Sequence, residues 1–355
     1  MISYYTRACN FYYGPHAKFL IQKKKALPLC GSKDIAFDSL EILSRKKGKK
    51  VNSRFIKLKE IDNLPRLQKK KIHKDLGNIC KKRKNFLKRI DFTSPTIMGI
   101  LNVTPDSFSD GGKFNNKTKA FNHISKMIKS GAEIIDIGGE STRPGSITVS
   151  PKVEWKRLKN ILKNFKKKYN KICLSLDTRK SNLMVKGIEN GVDLINDVSG
   201  FNFDKSSLNK IKKFNVTKVL HHMKGSPNTM QKKPTYKDVL LDVYDFFENN
   251  LSKFENNKII LDPGIGFGKT LKHNLTLISK ISLFHSLGLP LMIGTSRKRF
   301  INQISEKYDS RERIGGTLGS ILFLLMQGVQ IFRVHNVKEV KQGILVFKRI
   351  LTNDK

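Results

Sequence analysis

From residue 96 onward the chain repeats one pattern eight times: a short apolar run, a polar residue at its end, a loop, then a longer segment with helical spacing. The runs are TIMGILN (96–102), EIIDIG (133–138), ICLSLD (172–177), DLIND (193–197), VTKVLHH (216–222), KIILD (258–262), PLMIG (290–294) and QIFRV (330–334). Helical periodicity lies between them, around 116–131, 151–169, 180–190, 204–214, 235–254, 272–286, 297–307 and 336–351, with one more segment at 311–327. Apolar runs of strand length that alternate with 3.6-period segments predict parallel strands joined by crossover helices. Eight such units in about 260 residues predict an α/β fold of the (β/α)8 TIM-barrel type. An open doubly wound sheet, which normally has fewer strands, is the alternative.

The polar ends matter most, because in such a barrel all strands finish on one face. Asn102 ends the first run, Asp136 lies near the end of the second, and Asp177 ends the third. Asn196 and Asp197 end the fourth, His222 the fifth and Asp262 the sixth; GTSRK follows the seventh, and Arg333 and His335 close the eighth. One such Asp alone reads as a helix cap. Eight polar ends in phase predict a concave polar site whose carboxylates need donors, and a flat, nitrogen-rich heterocycle supplies N–H groups. The first loop, in GILNVTPDSFSDGG (99–112), places Phe108 among acidic and small residues, an unusual setting for a large apolar side chain.

Two stretches carry further chemistry. DPGIGFGKT (262–270) nearly fits a phosphate-binding loop, but Pro263 stands where its first glycine belongs. Its glycines are read as letting backbone approach a ligand, with Lys269 supplying a charge or donor. GTSRKRF (294–300) reads as a turn opening a helix, an anion site at which Ser296 is also a candidate N-cap. His221 and His222 alternate across a strand and so do not form a metal pair; His221 is read as a strand or core residue. Trp155 is read as packing.

The net charge of +40 invites a nucleic-acid reading. The basic residues are 54 Lys and only 15 Arg, beside 27 Asn, which describes a solvated surface better than a nucleic-acid site. No apolar run reaches the roughly 20 residues of a membrane span, and no secretory signal opens the chain. Four scattered Cys (Cys9, Cys30, Cys80, Cys173) point to a reducing compartment, so cytoplasm is expected. Residues 1–94 form a basic extension of uncertain structure, small or partly disordered, ahead of a catalytic barrel at 95–355. Within it ACNFYYG reads as a strand, IAFDSLEILSRK (35–46) as a short helix, and 45–90 as a poorly packed, partly helical linker.

In order, IMGILNVTPDSFSDGG, IIDIGGESTRPGS, LSLDTRK, LINDVSG, HHMKGSPNTMQ, IILDPGIGFGKT, IGTSRKRFI and RVHNV resemble the dihydropteroate synthases over residues 95–353. The resemblance implies a TIM barrel that joins 6-hydroxymethyl-7,8-dihydropterin diphosphate to 4-aminobenzoate, giving 7,8-dihydropteroate and pyrophosphate for folate synthesis. It assigns the pterin to Asp177, Asn196, Asp262 and Lys298. The diphosphate falls to Asn102, Thr142, Arg143, Arg333 and His335, with Asn102 also on Mg²⁺. The aminobenzoate falls to Phe108, Thr142, Arg143 and Ser296. Asp177, Lys298, Arg333 and His335 are the implied catalytic set. Asp106, Ser107 and Phe108 belong to a first loop that closes on the site. A homodimer through barrel helices is implied as well.

Three positions depart from the usual pattern. Asn336 stands where Asp is common, and His221 and Lys224 stand where Met and Gln are usual in several members. Two other readings compete. A pterin-binding methyltransferase would not need STRPG, SRK or RVH. A nucleic-acid-binding protein on an inactive barrel would rest on the charge alone. No motif of a fused pterin pyrophosphokinase occurs in residues 1–94, and ALPLCGSKDIAFDSLEIL resembles an extension found in some bacterial members.

Overall fold

The computed structural model describes residues 2–46, 48–87, 90–104, 113–141, 145–254, 258–306, 309–310 and 312–353. Eight parallel strands form the predicted barrel: β5 (Thr96–Asn102), β6 (Ile134–Gly138), β7 (Cys173–Asp177), β8 (Leu194–Asp197), β9 (Thr217–His221), β10 (Ile259–Asp262), β11 (Met292–Ile293) and β12 (Ile331–Val334). Their order is β10-β9-β8-β7-β6-β5-β12-β11, and a parallel bridge from Leu261 to Leu291 joins the two ends. Helices follow the strands: α3 (Lys113–Lys129), α4 (Pro151–Lys168), α5 (Ser181–Glu189), α6 (Ser207–Ile211), α7 (Val239–Leu251), α8 (Leu271–Ser279), α9 (Arg299–Ser305), α10 (Ile314–Met326) and α11 (Val337–Leu351). A 3-10 segment, Ile281–Leu287, continues from α8.

The period of two sorts each strand. Ile135, Leu174, Ile195, Leu220, Leu261 and Phe332 pack outward against the helices. Their neighbours face the lumen. Met98, Ile134, Cys173, Leu194, Val219, Ile260, Met292 and Ile331, one from each strand, make an apolar floor. Phe86, Leu87, Ile90 and Phe92 cover that floor at the N-terminal ends of the strands. Two residues further along, six strands carry inward polar side chains (Asp136, Ser175, Asn196, His221, Asp262 and Arg333), with Ile100 on β5 and Gly294 just after β11 at the other two places, and there the site begins.

The segment before the barrel differs from its reading. The stretch 35–46 is not a helix but β3 (Ile35–Lys46), the centre of an antiparallel sheet with β1 (Ile2–Tyr13), β2 (Leu27–Pro28) and β4 (Asn52–Lys57). Both faces of β3 are buried, so its apolar residues lose the clean alternation that marks a strand. Nor is 45–90 loosely packed. Ile56 of β4, Ile61 of a 3-10 turn (Leu58–Asn63), Leu64 just after that turn, and Ile72 and Ile79 of α2 (Arg66–Cys80) join Leu40 and Ile42 in one buried cluster. A short helix, α1 (Gly14–Gln22), completes the unit.

This unit docks on the barrel through apolar and polar contacts: Tyr5 and Leu43 join the barrel's core cluster, with Tyr5 edge-on to Tyr244 and the ring centroids 5.1 Å apart. The buried Glu41 carboxylate accepts from Lys280 at 2.8 Å, Ser53 at 2.7 Å and Arg7 at 2.5 Å. Arg45 donates to Asp242 at 2.7 Å and pairs with Asp245 on α7. Arg83, 2% exposed, donates to the His285 carbonyl at 3.1 Å, and Asn78 donates to the Ser286 carbonyl at 2.9 Å.

The floor is sealed by few residues, so it is sensitive to truncation. Phe92→Ala should lower unfolding free energy by about 3–5 kcal/mol, read by urea denaturation. Phe55→Ala, at a side chain 64% exposed, should change it by less than about 0.5 kcal/mol.

Candidate active site

The centre of the polar layer is Asp136, fully buried on β6. Its Oδ1 accepts from Ser175 Oγ of β7 at 2.5 Å. Its Oδ2 accepts from Asn196 Nδ2 of β8 at 3.0 Å and from Arg333 Nε of β12 at 2.7 Å. Arg333 Nη2 also donates to Asp177 Oδ2 of β7 at 2.8 Å. These groups face one another because each stands an even number of residues above its strand's floor residue. The sequence reading noted Asp136 as a strand end and gave it no role. Its parity with Ile134 and Gly138 was the available signal.

Asn196 spends its amide N–H₂ on Asp136, and its Oδ1 is buried with no partner. An acceptor in that state faces a ligand donor or carries a desolvation cost. Asp262, at the end of β10, is also lumenal: Oδ1 accepts from the Gly264 N–H at 2.8 Å, and His221 Nε2 lies 3.9 Å from Oδ2. Lys298 lays its ammonium over the Phe267 ring at 4.0 Å. Gly266, at φ +82°, makes this approach possible, since a Cβ there would come 3.1 Å from Lys298 Cδ.

Burial governs the electrostatics. It pushes the Asp177 carboxyl up, while Arg333 pulls it back and Asp136 adds to the rise. Burial likewise raises Asp262 to about 6, with the Gly264 N–H and Lys298 opposing. Lys298 is lowered to about 8 by burial and then by Arg333, against the pull of Asp262 and Asp177. His221 is held far below the ordinary imidazole value by burial and by the charges of Lys269 and Lys298.

Past the seventh strand, Arg297 adopts φ +60°, a strained turn for a side chain of this size. Its Nε and Nη2 both donate to Asn336 Oδ1, at 3.1 and 2.8 Å. The Asn at this departure position therefore still receives the guanidinium fork, without a charge. The turn puts Ser296 beside His335, with Ser296 Oγ 3.0 Å from His335 Nδ1. The candidate N-cap role of Ser296 does not hold: α9 starts at Arg299, its N-cap residue is Lys298, and no side chain caps it.

The structure thus gathers Asp177, Asn196, Asp262, Arg333 and Lys298 in one cup, with Asn102 ending β5 and the Ser296–His335 pair at the rim. Phe108, Thr142 and Arg143, with Asp106 and Ser107, lie outside the described residues. Two readings are corrected. His221, paired in register with Asp262, is the lumenal histidine, whereas His222 faces Phe246 and Tyr236. Lys269 is 3% exposed and tied to His222 Nδ1 at 3.0 Å and the Phe267 carbonyl at 3.0 Å, so it braces the loop. Lys224 turns away as well, bonding to the Thr235 carbonyl and lying over Tyr236.

Behind the cup lies an ion-pair network that the sequence did not single out. Glu140 accepts from Arg179 at 2.8 Å and from the Val149 N–H at 2.8 Å, and Lys180 bridges Glu140 and Glu154. All four charged side chains are at most 5% exposed. They fasten both ends of the segment after β6 to the end of β7.

Comparison with known proteins agrees with this geometry. The family model described as pterin binding enzyme matches residues 98–335. Dihydropteroate synthase of Escherichia coli K12 is 39% identical over 268 residues, covering 74% of this chain and 94% of that protein. The structure of Yersinia pestis dihydropteroate synthase with a sulfonamide drug complex superimposes with TM-score 0.70 at 38% identity, over 74% of this chain and 97% of that one. That of the Clostridium difficile enzyme in the presence of pteroic acid gives TM-score 0.68 at 35% identity, over 75% and 99%. The chain belongs to the pterin-binding enzymes and, among them, to the dihydropteroate synthases.

Proposed function

We propose that the pterin lies in the cup with its N–H edge on Asp262 and Asn196, and that the residues around it divide the synthase reaction as follows. The reaction is the condensation of 6-hydroxymethyl-7,8-dihydropterin diphosphate with 4-aminobenzoate to 7,8-dihydropteroate and pyrophosphate. The observation that carries the pterin placement is the buried, unpartnered Oδ1 of Asn196 in the same polar cup as the raised carboxylate of Asp262. Two such acceptors match the amino and ring N–H donors of a pterin. Lys298 donates to an acceptor on the same ring system.

Arg333 uses Nε and Nη2 on Asp136 and Asp177, which fixes its plane and leaves Nη1 for the diphosphate. His335, steadied by Ser296, and Asn102 take other phosphate oxygens. Positive charge held there favours departure of pyrophosphate, and the Asp177 carboxylate steadies the cation left on the pterin. The amine of 4-aminobenzoate then attacks the exocyclic methylene carbon that the pyrophosphate left, its surplus proton passing to the released pyrophosphate or to water, and no protein nucleophile takes part. Ser296 receives the aminobenzoate carboxylate, and the motif match assigns Phe108, Thr142 and Arg143 to the same substrate.

Mg²⁺ fits this donor set as an ion carried on the diphosphate. No cluster of three His, Cys, Asp or Glu occurs among the described residues, and Asn102 offers one neutral oxygen. Mg²⁺ bound to substrate phosphates with few protein ligands is ordinary; when bound it would neutralise the leaving group. Exposed Phe323 on α10 with Leu345, Val346 and Ile350 on α11 supports a homodimer through barrel helices. Free cysteines support a reducing, cytoplasmic setting, and no described helix is long and apolar enough to cross a membrane.

Asp262→Asn should raise KM for the pterin diphosphate about 10- to 100-fold through loss of charged hydrogen bonds, with KM for 4-aminobenzoate little changed. Because the Asp262 pKa is raised to about 6, the wild-type carboxylate is lost as pH falls through that value. KM for the pterin should therefore climb on that acid side, and the Asn variant should lack that limb. Lys298→Ala should depress both turnover and pterin affinity; steady-state kinetics with unchanged values would refute the placement.

A further inference from the structure

His221 has no part in the reaction as outlined, yet its ring stands in the cup. It pairs in register with Asp262 and is 3% exposed. Its Nδ1 is buried without a hydrogen-bond partner. The ring is held on two sides. Its edge meets Phe267 with centroids 4.7 Å apart at 90°, and a Cβ on Gly264 would come 2.9 Å from its Cε1. The ring is wedged in place, and the protein group that favours an N–H on it is the Val198 backbone carbonyl.

The distance to Asp262 is informative. Nε2 and Asp262 Oδ2 are 3.9 Å apart, too far to bond each other. Yet a single nitrogen placed between them would reach both at about 2.9 Å. An exocyclic amino group carries two N–H donors and can serve a carboxylate and an imidazole lone pair together. We infer that His221 is a specificity-determining residue, its Nε2 sharing with Asp262 Oδ2 the amino group of the bound heterocycle. The inference rests on the pterin placement proposed above. Met, usual at this position in several members of the family, offers bulk but no such acceptor. The site here therefore selects more strongly for an amino-substituted ring over its oxo-substituted counterpart than Asp262 alone would.

Calorimetric titration of the full chain with pterin and with its 2-oxo counterpart, alongside steady-state kinetics, tests this. His221→Met should weaken pterin about fivefold to tenfold, the worth of one hydrogen bond. The 2-oxo compound should be little affected, so the preference ratio falls by the same factor, and KM for 4-aminobenzoate should not move. His221→Gln, whose amide oxygen can accept, should recover part of the ratio. An unchanged ratio in His221→Met, or equal losses for both ligands in both variants, would overturn the role of His221. If the wild-type chain binds neither compound, the pterin placement itself fails.

Discussion

The ion pair between Asp136 and Arg333 is the constraint from which the site takes its shape. It crosses the lumen from β6 to β12, passing over β5, and draws in Ser175 and Asp177 of β7 and Asn196 of β8. A buried pair of this kind gives little net stability, because desolvation offsets much of the attraction. Its value is directional. With Asp136 fixed, the Arg333 fork has one plane, the Asn196 amide has one orientation, and the Asn196 oxygen is left facing the cup. The acceptors that meet the pterin and the donor that meets the diphosphate are thus set by the same carboxylate.

Beneath this layer the apolar floor excludes water, and Phe86, Leu87, Ile90 and Phe92 close it. Burial in the cup above this dry floor disfavours charged forms, which is why Asp177 and Asp262 rise and Lys298 falls while their mutual attractions oppose those shifts. The sheet before the barrel is anchored separately, through Glu41 with Lys280 and Arg45 with α7. Its basic residues and those of the barrel helices are largely a solvated coat: Lys152, Lys156, Lys159, Lys163 and Lys167 all lie on the exposed face of α4.

Much of this was legible in the sequence because strand parity and strand ends carry strong signals. All eight strands fall within their predicted runs, and Asp177, Asn196, Asp262, Lys298 and Arg333 meet as the motifs implied. What escaped depended on neighbours. β3 is covered on both faces and so lost its period. The choice between His221 and His222 turns on one residue of phase, and β9 ends at His221. Lys269 follows a glycine-rich loop that suggested a ligand, but the fold buries its ammonium against His222. Asp136 looked like one strand residue among several, since its three partners come from three other strands.

The most direct test compares the full-length wild-type chain with Asp136→Asn. The measurement is pyrophosphate release that depends on 4-aminobenzoate, with pterin binding and cooperative unfolding followed in parallel. If Asp136 organises the site, the wild type releases pyrophosphate only with both substrates. The variant, still folded, should lose about 100-fold or more in kcat, the scale of loss when the groups that position a substrate shift by about 1 Å. A folded variant that turns over at the wild-type rate would contradict that role.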